Sequence, residues 1–85
     1  MIAVSAAHYQ HDYQIKLTFN TGEQGVVDLH DLIERYPIAT PLKNLHEFQQ
    51  FYLDEWPTLA WPCGFDIAPE TLYERGTGRK VAWLE

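Results

Sequence analysis

Tyr13-Gln14-Ile15-Lys16-Leu17-Thr18-Phe19-Asn20-Thr21-Gly22-Glu23-Gln24-Gly25-Val26-Val27-Asp28-Leu29 holds a strand, a turn and a returning strand. Tyr13, Ile15, Leu17 and Phe19 alternate with Gln14, Lys16, Thr18 and Asn20, which is the period-two pattern of a half-buried strand. Asn20-Thr21-Gly22-Glu23 is a hairpin turn in which Gly22 supplies the positive φ of a bulge position. Working outward, Ile2, Val4 and Ala6 predict a strand before this hairpin, turning near Gln10-His11-Asp12. The three strands make an antiparallel meander. Asp28 is placed to cap a short helix that starts at Leu29, buries Leu32 and Ile33, and ends before Pro37. Asn44, with Glu47 three residues on, opens a second short helix carrying Leu45 and Phe48. Residues 51–54 and 58–61 predict two more strands around Glu55-Trp56-Pro57. Pro69 opens a last helix to Arg75, with Gly76 and Gly78 ending it. The expected fold is α+β: a small antiparallel sheet of about four or five strands with two or three short helices. Residues 1–76 form the domain, and residues 77–85 are a docking tail.

With 85 residues the chain makes one domain. At this size only about two thirds of the unfolded surface is buried, and three Trp, five Tyr and four Phe supply much of the apolar area. One cysteine excludes an internal disulfide and gives no sign of an oxidising compartment. Met1-Ile2-Ala3-Val4-Ser5-Ala6-Ala7-His8 lacks the basic region of a signal peptide, and no apolar run approaches the roughly 18 residues of a membrane span. A cytoplasmic location without a membrane partner is expected. The formal net charge of −6 is uneven. Residues 1–74 set Lys16, Arg35 and Lys43 against eleven acids, whereas residues 75–85 set Arg75, Arg79 and Lys80 against Glu85 alone. An acidic body repels a phosphate backbone, so it is not expected to bind nucleic acid and is better matched to a basic protein.

Four short motifs carry a family resemblance. They are Phe19-Asn20-Thr21-Gly22, Val27-Asp28-Leu29, Leu42-Lys43-Asn44-Leu45-His46-Glu47-Phe48, and Trp61-Pro62-Cys63-Gly64-Phe65-Asp66-Ile67-Ala68-Pro69-Glu70-Thr71-Leu72-Tyr73. Together they resemble a small bacterial family known as domain of unknown function 2442, over residues 2 to about 75. The resemblance implies a small α+β fold with an antiparallel sheet and no established activity. It also implies an antitoxin-like or partner-binding role, because some relatives are encoded beside small toxin-like proteins. Others carry a helix-turn-helix after this domain, for which these 85 residues leave no room. Two positions depart from the pattern. Cys63 stands where an Asn is usual, and Ala68 replaces a serine at the last helix start, leaving Asp66 as the candidate cap.

Residues with catalytic chemistry are present but isolated. Cys63 lacks a recognisable activating base, and His8, His11, His30 and His46 show no metal-ligand spacing. Asp28, Asp66 and Glu70 lie where helix starts favour negative charge, and Asp31 lies in a first turn. No metal and no cofactor are therefore expected. Trp56, Trp61, Phe65, Asp66, Tyr73 and Trp83 are the candidate binding residues. The first five line or flank the Trp61–Tyr73 segment, and Trp83 anchors the tail. The function expected is a non-enzymatic protein-interaction module, possible also as a homodimer through the tail. The alternative is a small ligand-binding protein or enzyme with its site near Trp61–Tyr73.

Overall fold

A computed structural model describes residues 1–80, so Trp83 and most of the expected docking tail lie outside the described residues. Strands β1 (Val4–His11), β2 (Gln14–Phe19) and β3 (Gln24–Asp28) form the expected antiparallel meander, in the order β1-β2-β3. The alternation seen in the sequence sets its faces. Ile15, Leu17, Phe19, Val27 and Val4 are buried on one side, whereas Lys16 and Val26 are exposed on the other. Asp12 turns the first hairpin in the left-handed region at φ 47°, and Gly22 turns the second at φ 91°.

The core face of the sheet is roofed by helices. Helix α1 (His30–Arg35) buries Leu32 and Ile33. Asp28 Oδ1 accepts from the His30 N–H at 3.0 Å just ahead of the helix, but the N-cap position is Leu29 and no side chain caps α1, so the capping role expected of Asp28 is not realised. Pro37 does end this helix, but it also opens a 3₁₀ helix, Pro37–Lys43, that the sequence pattern did not announce. There Pro37 occupies a first-turn position, where its missing N–H costs nothing. Asn44 then caps α2 (Leu45–Phe48), its Oδ1 accepting from the N–H groups of His46 and Glu47. Helix α3 (Pro69–Thr77) buries Leu72 and Tyr73 and is tied to α1 by two bonds from Arg75 to Asp31, at 2.9 and 2.7 Å. It runs past Gly76 and ends at Gly78, whose φ of 74° turns the chain and lets its N–H reach the Glu74 carbonyl. Gly76 stays helical because it lies against Gly25 of β3, where two glycines allow two backbones to touch. The capping role expected of Asp66 is not realised: the residue before α3 is Ala68, and no side chain caps the helix.

The remaining strands, β4 (Tyr52–Leu53) and β5 (Leu59–Ala60), are only two residues each and form a second sheet rather than extending the first. The two sheets are joined where the Val4 N–H donates to the Pro57 carbonyl. The fold is thus α+β, with five strands among the described residues divided between two antiparallel sheets. No helix of the described residues is long and apolar enough to cross a membrane.

The ion pair between α3 and α1 predicts an acid limb to stability. Hydrogen bonds from Arg75 hold the Asp31 carboxyl below the usual carboxylate range, and the Tyr73 hydroxyl does the same for Glu23. A lowered folded-state value means that the unfolded chain binds more protons. The stabilisation is therefore complete above about pH 4 to 5 and is lost as pH falls through the lower folded values. Thermal melts between pH 7 and pH 3 should show this fall, and Asp31→Asn should make it shallower. An identical acid limb in Asp31→Asn would remove the pair from this explanation.

Candidate functional site

The segment between β5 and α3 builds a turn that faces the end of α1. Trp61 and Phe65 close it by a backbone bond at 2.9 Å, with Gly64 at φ 100° supplying the conformation that the turn requires. The chain then pairs back on β5 through the Ala60–Asp66 bridge, and Thr58 donates its buried hydroxyl to the Ile67 carbonyl. This fixes residues 64–68 as one wall of a groove. The other wall comes from α1 and the start of the 3₁₀ helix, namely Leu32, Tyr36 and Ile38, and Thr71 of α3 closes one side. The groove holds about 430 Å³. A second hollow of about 250 Å³ shares Asp66, Ile67 and Ala68 with it and is bounded by Trp56. The two adjoin through these shared residues, and among the described residues Asp66 is the one carboxylate that lines them.

Trp56 reaches the second hollow by local chemistry. Asp54 Oδ1 accepts from the N–H groups of both Trp56 and Thr58 at 3.0 Å, which holds Glu55-Trp56-Pro57 in a tight turn. Trp56 is left 72% exposed on it, a costly position for a large aromatic. Tyr36 and Ile38, on the opposite wall, are 45% and 51% exposed. The Asp66 side chain is exposed and makes no hydrogen bond among the described residues. Beside it, in the first turn of α3, one Glu70 carboxylate oxygen is buried without a hydrogen-bond partner among the described residues.

The candidate residues read from the sequence divide into two groups. Phe65 and Asp66 line the groove, with Phe65 forming its floor while being only 6% exposed, and Trp56 bounds the second hollow, which shares Asp66 with it. Trp61 and Tyr73 lie in the core instead. Trp61 is sandwiched between Phe48 and Phe65 and donates its indole N–H to the Phe48 carbonyl at 2.8 Å. Tyr73 packs edge-on against Phe19 and donates its hydroxyl to Glu23. Trp83 lies outside the described residues. Tyr36 and Ile38 were not anticipated. Their signal was an apolar residue on either side of Pro37, straight after a helix end, where a loop would normally be polar.

Acid–base and metal chemistry find little support in the geometry. Cys63 sits half-buried in the turn against the core. His11 pairs with its neighbour Asp12, and His30 stacks on Tyr13 and faces Glu34 at 3.5 Å. Among the described residues no three of His, Cys, Asp and Glu gather as metal ligands. The displaced titrations, downward for Glu23 and Asp31 and upward for Tyr73 and Arg75, arise in two pairs that lie away from the groove lining.

Three comparisons place the chain among known proteins. No curated protein matches it. Its fold is similar to the crystal structure of the putative DNA-binding protein NE0471 from Nitrosomonas europaea, with a TM-score of 0.80 and 20% identity. That match covers 99% of this chain but 56% of the other, so this domain spans little more than half of the longer protein. At such identity the likeness shows the fold alone. The model of the family described as protein of unknown function DUF2442 matches residues 4–78, nearly the whole length, and the chain belongs to that family.

Proposed function

We propose that this domain is a non-enzymatic docking module, and that its groove receives a segment of another protein in which an apolar side chain lies next to a basic one. The observation that carries this reading is the pairing of exposed aromatic surface with a lone carboxylate. Tyr36 and Ile38 line the groove, Trp56 bounds the adjoining hollow, and Asp66 lines both. Exposed aromatics that gather around a hollow are the composition of interaction hot spots. A basic partner suits Asp66 and the acidic body, and charge complementarity would speed and orient its approach. An antitoxin-like pairing with a small basic protein in the cytoplasm is one form of this reading.

The same surface argues against nucleic acid as the ligand. Three of the six basic side chains are engaged with carboxylates: Arg75 with Asp31, Lys43 with Glu34, and Arg79 with Glu23. DNA binding is said of the Nitrosomonas protein, which extends well beyond this domain.

The test uses Ile38→Asp and Trp56→Ala, two exposed positions whose change should leave the melting midpoint within a few degrees. Affinity capture from a bacterial extract should recover a basic protein with the wild-type domain, and recovery should fall at least about tenfold with either variant. Equal recovery by both variants, or nuclease-sensitive recovery of nucleic acid, would refute the reading.

A further inference from the structure

We infer that the groove also receives residues 80–84 of a second copy of this chain, so that the domain self-associates by inserting this segment and competes with its own partner. The inference rests on the docking reading of the groove given above.

The chemistry of the segment matches the groove residue type by residue type. Lys80-Val81-Ala82-Trp83-Leu84 places a cation before an apolar run with one large aromatic. The groove places a carboxylate, Asp66, beside an apolar wall of Tyr36 and Ile38 and a floor of Phe65. Its volume of about 430 Å³ accommodates an indole ring. Lys80 would meet the Asp66 carboxylate, which is exposed at the groove. Trp83 then lies among aromatic and branched side chains, the setting in which a Trp anchor contributes most.

The direction of α3 favours a second copy over the chain's own groove. The helix starts at the groove, where Ala68 and Thr71 line it, and carries the chain away for nine residues, about 14 Å. Gly78 then turns the chain, and Arg79 reaches Glu23 on the β2–β3 turn at 3.5 Å. From Lys80 to Trp83 the backbone spans at most about 11 Å, less than the length of α3. Insertion into a neighbour meets no such limit. If reciprocal, it makes a twofold dimer with two identical contacts.

Light scattering on the full chain tests this with Ile38→Asp, which spoils the groove, and Trp83→Ala, which spoils the segment. Wild type should show twice the single-chain mass as concentration rises. Each variant alone should stay single, and an equimolar mixture should recover a two-chain species, because one intact groove meets one intact segment. A single-chain mass for wild type up to about 1 mM overturns the inference, as does a two-chain mass for Trp83→Ala alone or a mixture that stays single. A labelled synthetic peptide of residues 77–85, titrated onto full-length Trp83→Ala, should bind. It should bind about tenfold more weakly when Asp66→Lys is added. If the peptide fails to bind and wild type stays single while Ile38→Asp still abolishes capture of a foreign protein, this inference falls and the docking reading stands. If Ile38→Asp leaves foreign capture intact, the docking reading itself falls.

Discussion

Trp61→Ala should leave little folded protein at 37 °C. The side chain is 1% exposed, stacks against Phe48 and Phe65 with ring centroids 5.7 and 5.5 Å away, and meets Phe51 edge-on. Truncating a buried aromatic of this size costs about 3–5 kcal/mol, because the surrounding groups cannot fill the cavity. The indole N–H is also the donor to the Phe48 carbonyl at 2.8 Å, so that buried oxygen loses its partner. A domain of 85 residues is stable by only about 4–13 kcal/mol in all. A fall in melting midpoint of at least about 15 °C is expected by circular dichroism. Trp61→Phe keeps the stacking but not the donor and should fall between the two. A cost for Trp61→Ala below about 1 kcal/mol would mean that Trp61 is not the centre of the core.

Gly25→Ala should be almost as damaging, for a different reason. A Cβ at Gly25 would lie 2.1 Å from the Gly76 carbonyl oxygen and 2.4 Å from its carbon. The obstacle is backbone, so no rotamer change relieves it, and α3 must move off β3. The cost should reach or exceed the top of the usual range of about 1–3 kcal/mol for overpacking. Gly76→Ala is the asymmetric control. Its Cβ would meet Val27 at 3.4 Å, an ordinary contact, and alanine favours the helix by up to about 1 kcal/mol. Gly76→Ala should therefore be neutral or stabilising. Urea titrations of the two variants check this, and equal destabilisation by both would show that the contact is not one-sided.

The parts of the fold that could be read from the sequence are those whose structure is local. Ile15, Leu17 and Phe19 alternate because only one face of β2 is buried, and Gly22 marks its turn by φ alone. Asn44 caps α2 through bonds that span three residues. The 3₁₀ helix Pro37–Lys43 escaped notice because seven residues with two prolines show no helical period. Gly76 reads as a stop locally and is kept helical by Gly25, a contact invisible to a linear reading. The same limit explains the site. Trp56 stood out because a Trp in a turn has little to pack against, and it is indeed exposed. Trp61 has equal binding chemistry but follows two buried residues, Leu59 and Ala60, so no alternation showed which way it points. Tyr36 and Ile38 become a groove wall only when α1 is packed beside residues 64–68.

Photo-crosslinking from inside the groove offers the sharpest decision. A photoreactive phenylalanine at Ile38, in the full chain expressed in bacteria, reports what occupies the groove. The same group at Lys16 reports the open face of the sheet, on the other side from the core. The expected result is a protein adduct from position 38 that maps to a basic–apolar segment, foreign or residues 80–84 of a second copy, with no adduct from position 16. Adducts from position 16 with none from position 38 would contradict the assignment of the groove as the docking surface.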